Sequence, residues 1–281
     1  MYYIQEIDKP SWLSKTFNIV KLENNRIILP IETDKISDKK AQKLAKKTKK
    51  ILDKTNCNKL VISKNIKKID NYMNQLYTYQ YLICDSKWLF EVLAVRVLDF
   101  IIEKFNMKKQ ETQVAILVND LTENTLENIR IIVKQYKCVS IITNHIEKFK
   151  KLEQQILDEN GIMITITNNK KKSLAKAQII LNVDFPTELI NKYYINEKAI
   201  IINLKGNVKI EKKRFNGINI NDYEIKVENV EELDKNFLTK YKMADVYEAK
   251  LYKKTTYKNL IEILEKDKIE ILMLQTNNSQ I

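Results

Sequence analysis

The sequence has few residues of the kinds that shape tight loops. Glycine and proline each occur three times in 281 residues. A P-loop needs closely spaced glycines after a strand, followed by Lys-Ser or Lys-Thr. Gly161, Gly206 and Gly217 are far apart and have no such partner. A nucleotide site of the P-loop type is therefore excluded.

Cysteine and histidine are also scarce. Cys57, Cys84 and Cys138 are odd in number and form no CxxC pair, which indicates a reducing compartment and neither a disulfide framework nor a zinc cluster. His145 is the only histidine, so a site built on histidine pairs is excluded and we expect no metal. Cys84 ends an apolar run, and we expect a buried structural thiol; a thiol in a cleft is the alternative.

Arginine is rare for so basic a chain. The net charge is +13, yet 45 of the 49 basic residues are lysines, whereas recognition of phosphates and bases relies on arginine. The excess lies mostly in residues 1–106, with 20 basic and 12 acidic residues. One helix face there carries Lys39, Lys40, Lys43, Lys46, Lys47 and Lys50. Nucleic acid is thus an alternative partner for this region, but not the favoured one.

Long apolar segments are absent as well. The longest, from Trp88 to Ile102, is shorter than a bilayer span and contains charged residues, so it predicts a buried helix. The first residues have no basic segment followed by an apolar run, so we see no secretory signal. We expect a cytoplasmic protein without a membrane partner.

Residues 1–106 have the alternating pattern of a small α/β domain that ends in a connecting helix. Its predicted elements are two strands around an Asn-Asn turn within 17–31, a helix capped by Ser37 or Asp38, strands at 58–63 and 81–85 with a helix between them, and the apolar helix 87–106.

Residues 107–281 alternate more regularly. Five apolar strands are predicted at 114–118, 139–143, 162–167, 179–183 and 199–204, each separated from the next by a helix or turn. Right-handed crossovers then favour a parallel, doubly wound sheet. Asn216-Gly217 predicts a hairpin, and 269–274 a last strand. The expected fold class is α/β: a Rossmann-like doubly wound parallel sheet preceded by a smaller α/β domain.

Three features of residues 87–204 suggest a family. A long helix leads into the first strand, "IITNH" (141–145) ends a strand in a polar pair, and "AKAQIILNVDFPTELINKYYINEKAIIINL" (175–204) has a strand, a proline loop and a short helix before the next strand. This layout resembles the NAD(P)-binding half of the shikimate dehydrogenase, glutamyl-tRNA reductase and methylenetetrahydrofolate dehydrogenase group. The resemblance implies a dinucleotide at the carboxyl ends of the strands.

The residues after the first of these strands depart from that pattern. Positions 119–124, Asn-Asp-Leu-Thr-Glu-Asn, contain no glycine with which backbone amides could approach a pyrophosphate. Asp120 and Glu123 have the spacing of a capping box, which would occupy those amides. We predict a degenerate site with no cofactor. NADP bound through Thr143 and Asn144 is the alternative.

Polar residues follow most of the predicted strands. Since ligands of open parallel sheets bind outside the carboxyl ends of the strands, the candidate ligand-binding residues are Asn119, Thr143, Asn144, His145, Asn168 and Asp184. Of these, His145 and Asp184 are the candidate catalytic acid–base groups. The alternative is that Asn and Asp merely cap turns.

Arg96 and Asp99 lie three residues apart on the apolar helix and can pair with each other. The resemblance implies that this helix bridges the two domains, which would place the pair at the interdomain cleft; a structural ion pair is the alternative.

The sequence therefore favours a degenerate dehydrogenase-like protein that binds a small polar ligand or a protein partner without hydride transfer. On this interpretation the protein is not expected to be an enzyme. The alternatives are an NADP-dependent oxidoreductase with an atypical phosphate loop and a basic nucleic-acid-binding protein. The oligomeric state is left open.

Overall fold

A computed structural model describes residues 1–32, 36–55, 59–211, 213–228, 235–252, 255–276 and 279–281. Cys57 lies outside these described residues. The chain divides into two compact units, and each is built from two pieces of sequence. The first unit is Met1–Ser86 with Asn229–Lys254, and the second unit is Lys87–Glu228 with Thr255–Ile281.

Strands and helices alternate through most of the described chain. The strands are β1 (Tyr2–Glu6), β2 (Lys21–Glu23), β3 (Arg26–Leu29), β4 (Lys59–Ile62), β5 (Leu82–Cys84), β6 (Gln113–Leu117), β7 (Cys138–Ile142), β8 (Thr165–Thr167), β9 (Ile179–Asn182), β10 (Ile200–Asn203), β11 (Ile218–Val227) and β12 (Ile269–Thr276). The helices are α1 (Trp12–Phe17), α2 (Asp38–Asp53), α3 (Lys64–Lys67), α4 (Asp70–Thr78), α5 (Lys87–Val92), α6 (Ala94–Lys104), α7 (Glu123–Gln135), α8 (Ile146–Asn160), α9 (Lys170–Lys176), α10 (Thr187–Ile190), α11 (Lys235–Lys240), α12 (Met243–Leu251) and α13 (Tyr257–Lys266).

The sheet of the first unit has the order β2-β3-β1-β4-β5, and only the β2–β3 pair is antiparallel. That pair is the two predicted strands, and Asn24 turns the chain between them with a φ of 54°. Helix α2 begins after Ser37, whose side chain accepts the amide of Lys40, and it buries the apolar stripe that includes Leu44 and Leu52. Both the strand pair and the Ser37 cap confirm the sequence predictions.

The other face of this sheet is covered by residues far along the chain. Tyr3 and Cys84 belong to one buried cluster with Phe237 and Tyr241, and the Tyr3 and Phe237 rings meet edge to face with centroids 4.8 Å apart. Helix α12 packs on β4 and β5. The first unit therefore needs residues 235–252 to complete its core.

The sheet of the second unit has the order β12-β11-β10-β9-β6-β7-β8, in which all neighbours are parallel except β11 and β12. From β6 the chain first moves outward to β7 and β8, then returns to place β9, β10 and β11 on the other side. This is the doubly wound order, and its switch point lies between β6 and β9. The expected fold class, a Rossmann-like doubly wound sheet preceded by a smaller α/β domain, is confirmed.

The division of the chain differs from the expected boundary at residue 106. The apolar segment 87–106 forms two helices, α5 and α6, and both pack on α7 of the second unit. Segment 235–252 belongs instead to the first unit. Both assignments result from the burial of apolar side chains, because each segment belongs to the unit whose sheet or helix covers its apolar face.

The hairpin expected at Asn216-Gly217 is wrong. Gly217 leads into β11, which pairs with β10 in parallel, and the antiparallel pair is formed by β11 and β12. A Cβ on Gly217 would lie 2.1 Å from the carbonyl oxygen of Ala199. This glycine therefore permits a close approach between neighbouring strands rather than a tight turn.

No helix among the described residues has the length and apolar character needed to cross a bilayer.

The burial of Cys84 in the first unit should lower the reactivity of its thiol. Burial, and secondarily the carboxylate of Glu248, raise the pKa of Cys84 to about 12, whereas Cys138 is exposed. Because the thiolate is the reactive form, iodoacetamide at pH 8 should modify Cys138 at least about tenfold faster than Cys84 in the folded protein. Peptide mass spectrometry over time measures both rates. Urea should equalise them, and equal rates in the folded protein would contradict the burial of Cys84.

Candidate functional site

The carboxyl end of β6 is occupied by a side chain of the protein itself. Asp184, which follows β9, accepts the amide of Asn119 at 2.9 Å and that of Asp120 at 2.8 Å, and the Asn119 side-chain amide lies 3.4 Å away. These two amides stand at the switch point, where a dinucleotide of a Rossmann domain places its pyrophosphate. The carboxylate of Asp184 thus takes the place of a bound anion.

The expected capping box of Asp120 and Glu123 is wrong, because α7 begins later than predicted. Thr122 is its N-cap and accepts the amide of Thr125 at 3.1 Å. The hydroxyls of Thr122 and Thr125 both donate to the buried carboxylate of Glu91 on α5, which fixes this start. Glu123 accepts the amide of Tyr257 instead. The amides at the end of β6 are blocked, but by Asp184.

An open depression lies beside this turn, at the ends of β7 and β8. It is lined by Asp120, residues 144–148 and Asn168. Asn119 holds its edge, since its side-chain oxygen accepts the amide of Asn144 at 3.0 Å. The buried hydroxyl of Thr143 accepts the amide of His145 at 3.0 Å, which fixes the backbone that carries the histidine. Three of the six predicted ligand-binding residues, Asn144, His145 and Asn168, therefore line the depression. The other three, Asn119, Thr143 and Asp184, hold the neighbouring backbone in place through hydrogen bonds.

Helix α8 begins inside this depression without a side-chain cap. Its N-cap residue, His145, makes no side-chain hydrogen bond to the first turn. Among the described residues, none accepts a hydrogen bond from the amides of Ile146 or Glu147. The positive end of a 15-residue helix dipole is consequently open to solvent at this point.

Charged side chains surround the same opening. Lys148 donates to Asp120 at 2.8 Å, and this bond together with the lysine charge lowers the pKa of the Asp120 carboxyl. Lys205 and His145 lower it further from a greater distance. Glu147 is paired with Lys150 at 2.7 Å. The sequence did not predict Lys148 and Lys205 as site residues, although they bring positive charge to this edge.

The carboxyl ends of β9 and β10 are filled by buried asparagines. Asn203 at the end of β10 accepts from Asn182 at 2.9 Å, and its own amide donates to Asn219 at 2.9 Å and to Asn221 at 3.0 Å. Asn219 and Asn221 in turn donate to the carbonyl of Val208. This asparagine ladder satisfies its own polar groups at the ends of β9 and β10 and beside them in the first half of β11, so these asparagine side chains are already engaged with one another and with Val208.

The switch point of the first unit also carries a carboxylate of the protein itself. It lies between β1 and β4, where the carboxylate of Glu6 accepts the hydroxyl of Ser63 at 2.5 Å and the side-chain amide of Asn65 at 2.8 Å. Both units therefore place one of their own carboxylates where parallel sheets commonly bind ligands.

Arg96 and Asp99 do not pair with each other. The guanidinium of Arg96 donates to the carbonyl of Ile269 at 2.9 Å, and Asp99 forms an ion pair with Lys109 at 2.5 Å. Each side chain therefore finds its partner on a different segment of the second unit. Their assignment to an interdomain cleft stays a prediction.

Comparison with known proteins finds no matching family model and no similar curated protein. Among solved structures, aspartate transcarbamoylase from Trypanosoma cruzi has a TM-score of 0.29 and 11% identity over 73% of this chain and 71% of its own. Ornithine transcarbamoylase from Giardia lamblia has a TM-score of 0.28 and 11% identity over 72% of each chain. Ornithine carbamoyltransferase from Pyrococcus furiosus has a TM-score of 0.28 and 12% identity over 72% of this chain and 71% of its own.

These neighbours correct the functional expectations. They are carbamoyltransferases, which contradicts the expected resemblance to the shikimate dehydrogenase group. The expectation of a non-catalytic dehydrogenase-like protein depended on that resemblance and is wrong with it. The oxidoreductase and nucleic-acid alternatives gain no support either, and Asp184 gives a physical reason against a dinucleotide. Similarity this low transfers no substrate and no residue role to this chain.

The asparagine ladder should contribute to the stability of the folded protein. Asn203→Ala removes one acceptor and one amide from a buried network, so it should lower the free energy of unfolding by about 2–4 kcal/mol. Urea denaturation followed by circular dichroism measures the change. Asn259→Ala, at an exposed position on α13, should change it by less than about 0.5 kcal/mol. Equal effects would mean that the ladder does not stabilise the sheet.

Proposed function

We propose that the protein is an enzyme that transfers a small group to or from an anionic metabolite, bound in the depression at the ends of β7 and β8. One observation carries the proposal: the only histidine of the chain lies beside Lys148 and the uncapped start of α8. An acid–base group next to an anion-binding helix end can support group transfer without a dinucleotide.

Binding of the anion falls to α8. The amides of Ile146 and Glu147 point out of the first turn, and the helix dipole adds positive potential there. Lys148 supplies the formal charge, and Asp120 holds its amine at the rim of the depression through their 2.8 Å bond. A phosphate or carboxylate could accept from the two amides and share the amine with Asp120.

Proton transfer falls to His145. Its side chain is exposed in the depression, where its imidazole can reach a bound substrate, and the Thr143 hydroxyl fixes its backbone. Asn144 and Asn168 supply side-chain amides that can orient the substrate. Asp184, whose oxygens already accept backbone amides, shapes the turn instead of acting as an acid or base.

The carbamoyltransferases named above move one such small group, but the proposal rests on the residues of this depression. A cytoplasmic address, expected from the cysteine pattern, goes with a metabolic enzyme, and the described cysteines Cys84 and Cys138 are free thiols.

A single histidine permits a direct test. In proton NMR at constant ionic strength, the imidazole resonances of His145 should shift saturably when inorganic phosphate is titrated in. Lys148→Met should weaken this binding at least about tenfold, because it removes the lysine charge that lines the opening. Lys151→Met, at an exposed position one turn further along α8, is the matched control and should bind phosphate as the wild type does.

Turnover is the second readout. With carbamoyl phosphate and either aspartate or ornithine as probes, the wild type should release phosphate, and His145→Gln should slow release by at least about 100-fold while still binding phosphate. An unshifted histidine, or phosphate release that His145→Gln leaves unchanged, contradicts the proposed site.

A further inference from the structure

An exposed apolar surface lies near the start of the first unit. Trp12 is 73% exposed and Phe17 is 62% exposed, and Leu13, Ile19 and Leu22 are exposed as well. We call these five residues the α1 surface. Other large apolar side chains that are exposed in the described chain, such as Tyr194 and Leu272, are scattered. A cluster of this kind marks a contact with another molecule or with a membrane.

Helix α1 has the reverse of the usual amphipathic arrangement. Ser14, its only buried residue, faces the protein and donates to the carbonyl of Ser11 at 2.7 Å. The tryptophan, the leucine and the phenylalanine of the same helix point to solvent. Exposing these side chains is unfavourable in water, so their position indicates that the surface serves to bind something.

The helix is held firmly in this orientation. Asn18 ends it in the left-handed region with a φ of 49°, and the amine of Lys47 donates to the carbonyls of Phe17 at 2.8 Å and Asn18 at 2.9 Å. These bonds join the end of α1 to the middle of α2. The apolar side chains are therefore presented on a fixed support rather than on a loose segment.

Lysines of α2 surround this junction. Lys43 and Lys50 are four residues before and three after Lys47, so they share its side of the helix. Both are exposed, and among the described residues no carboxylate pairs with them. Helix α2 contains seven lysines and two aspartates. The α1 surface is thus bordered by unneutralised positive charge.

We propose that the α1 surface and the lysines of α2 bind the surface of an anionic phospholipid membrane. Tryptophan, phenylalanine and leucine suit insertion at the boundary of headgroups and acyl chains, and lysines beside them attract anionic lipid. A second copy of this chain is a poorer occupant, because it would bring two lysine-rich faces together. A surface contact of this kind needs no helix that spans the bilayer, so it differs from the membrane partner that the lack of long apolar segments argued against.

Vesicle binding tests the proposal on the full chain. The protein should sediment with vesicles of phosphatidylglycerol and phosphatidylcholine, and at least about tenfold less with phosphatidylcholine alone. Binding to the anionic vesicles should weaken as salt is raised. Trp12 is one of two tryptophans, so a Trp88→Phe variant that retains its circular dichroism should show a blue shift of Trp12 emission on binding.

Matched variants separate the two parts of the surface. The double variant Trp12→Ser/Phe17→Ser should lose at least about tenfold in binding, whereas Tyr194→Ser/Leu272→Ser, which removes two exposed apolar residues elsewhere, should not. The double variant Lys43→Glu/Lys50→Glu should lose binding as well. The control Lys134→Glu/Lys151→Glu makes the same charge change on α7 and α8, and it should bind the vesicles more tightly than Lys43→Glu/Lys50→Glu does.

Three results would overturn the proposal. The first is no sedimentation with anionic vesicles at low salt. The second is a dimer in light scattering that Trp12→Ser/Phe17→Ser dissociates, which would assign the surface to a second copy. The third is a response to vesicles that the α1 and α2 variants leave unchanged.

Discussion

The bonds from the Asp184 carboxylate to the amides of Asn119 and Asp120 determine what the second unit can hold. A doubly wound sheet offers its best anion site at the switch point, and here the protein fills that site with its own negative charge. Two consequences follow. A dinucleotide has no amides left to bind at this turn, and the open polar surface moves one strand outward, to the ends of β7 and β8.

The asparagine ladder limits the site from the other side. Asn182, Asn203 and Asn219 satisfy one another across β9, β10 and β11, and they leave little for a ligand to bind. At the start of α8, by contrast, the amides of Ile146 and Glu147 find no acceptor among the described residues, and charged side chains lie beside them. In the first unit the carboxylate of Glu6 stands at the equivalent position between β1 and β4, where it accepts hydrogen bonds from Ser63 and Asn65.

The sequence predicted the alternation of strands and helices, because apolar runs of four or five residues separated by amphipathic stripes permit little else. It did not predict that α12 completes the first unit, since a helix that is buried almost all round has no periodicity to show which sheet it covers. It also mistook Gly217 for a turn residue, because the close approach of the Ala199 carbonyl depends on a strand pairing that lies outside any local window.

Of the candidate site, the sequence identified the strand ends and therefore Asn144, His145 and Asn168. The sequence could not show whether Asp184 occupies the anion position or acts as a catalytic acid. Its role depends on 2.8–2.9 Å contacts to the amides of Asn119 and Asp120, which lie about 65 positions away. Lys148 could have been found, because it lies one turn after His145 on a predicted helix. Lys205 could not, since its neighbour Asp120 is on a distant segment.

The most direct measurement is the stability of Asp184→Ala with and without phosphate. Removing the carboxylate leaves two amides without their acceptor, so urea denaturation in chloride buffer should show a loss of about 1–3 kcal/mol, and Glu188→Ala nearby should show almost none. Phosphate at equal ionic strength should then stabilise Asp184→Ala more than it stabilises the wild type, because it can occupy the emptied site. An unchanged stability, or an equal response to phosphate in both proteins, would contradict the claim that Asp184 acts as a built-in anion.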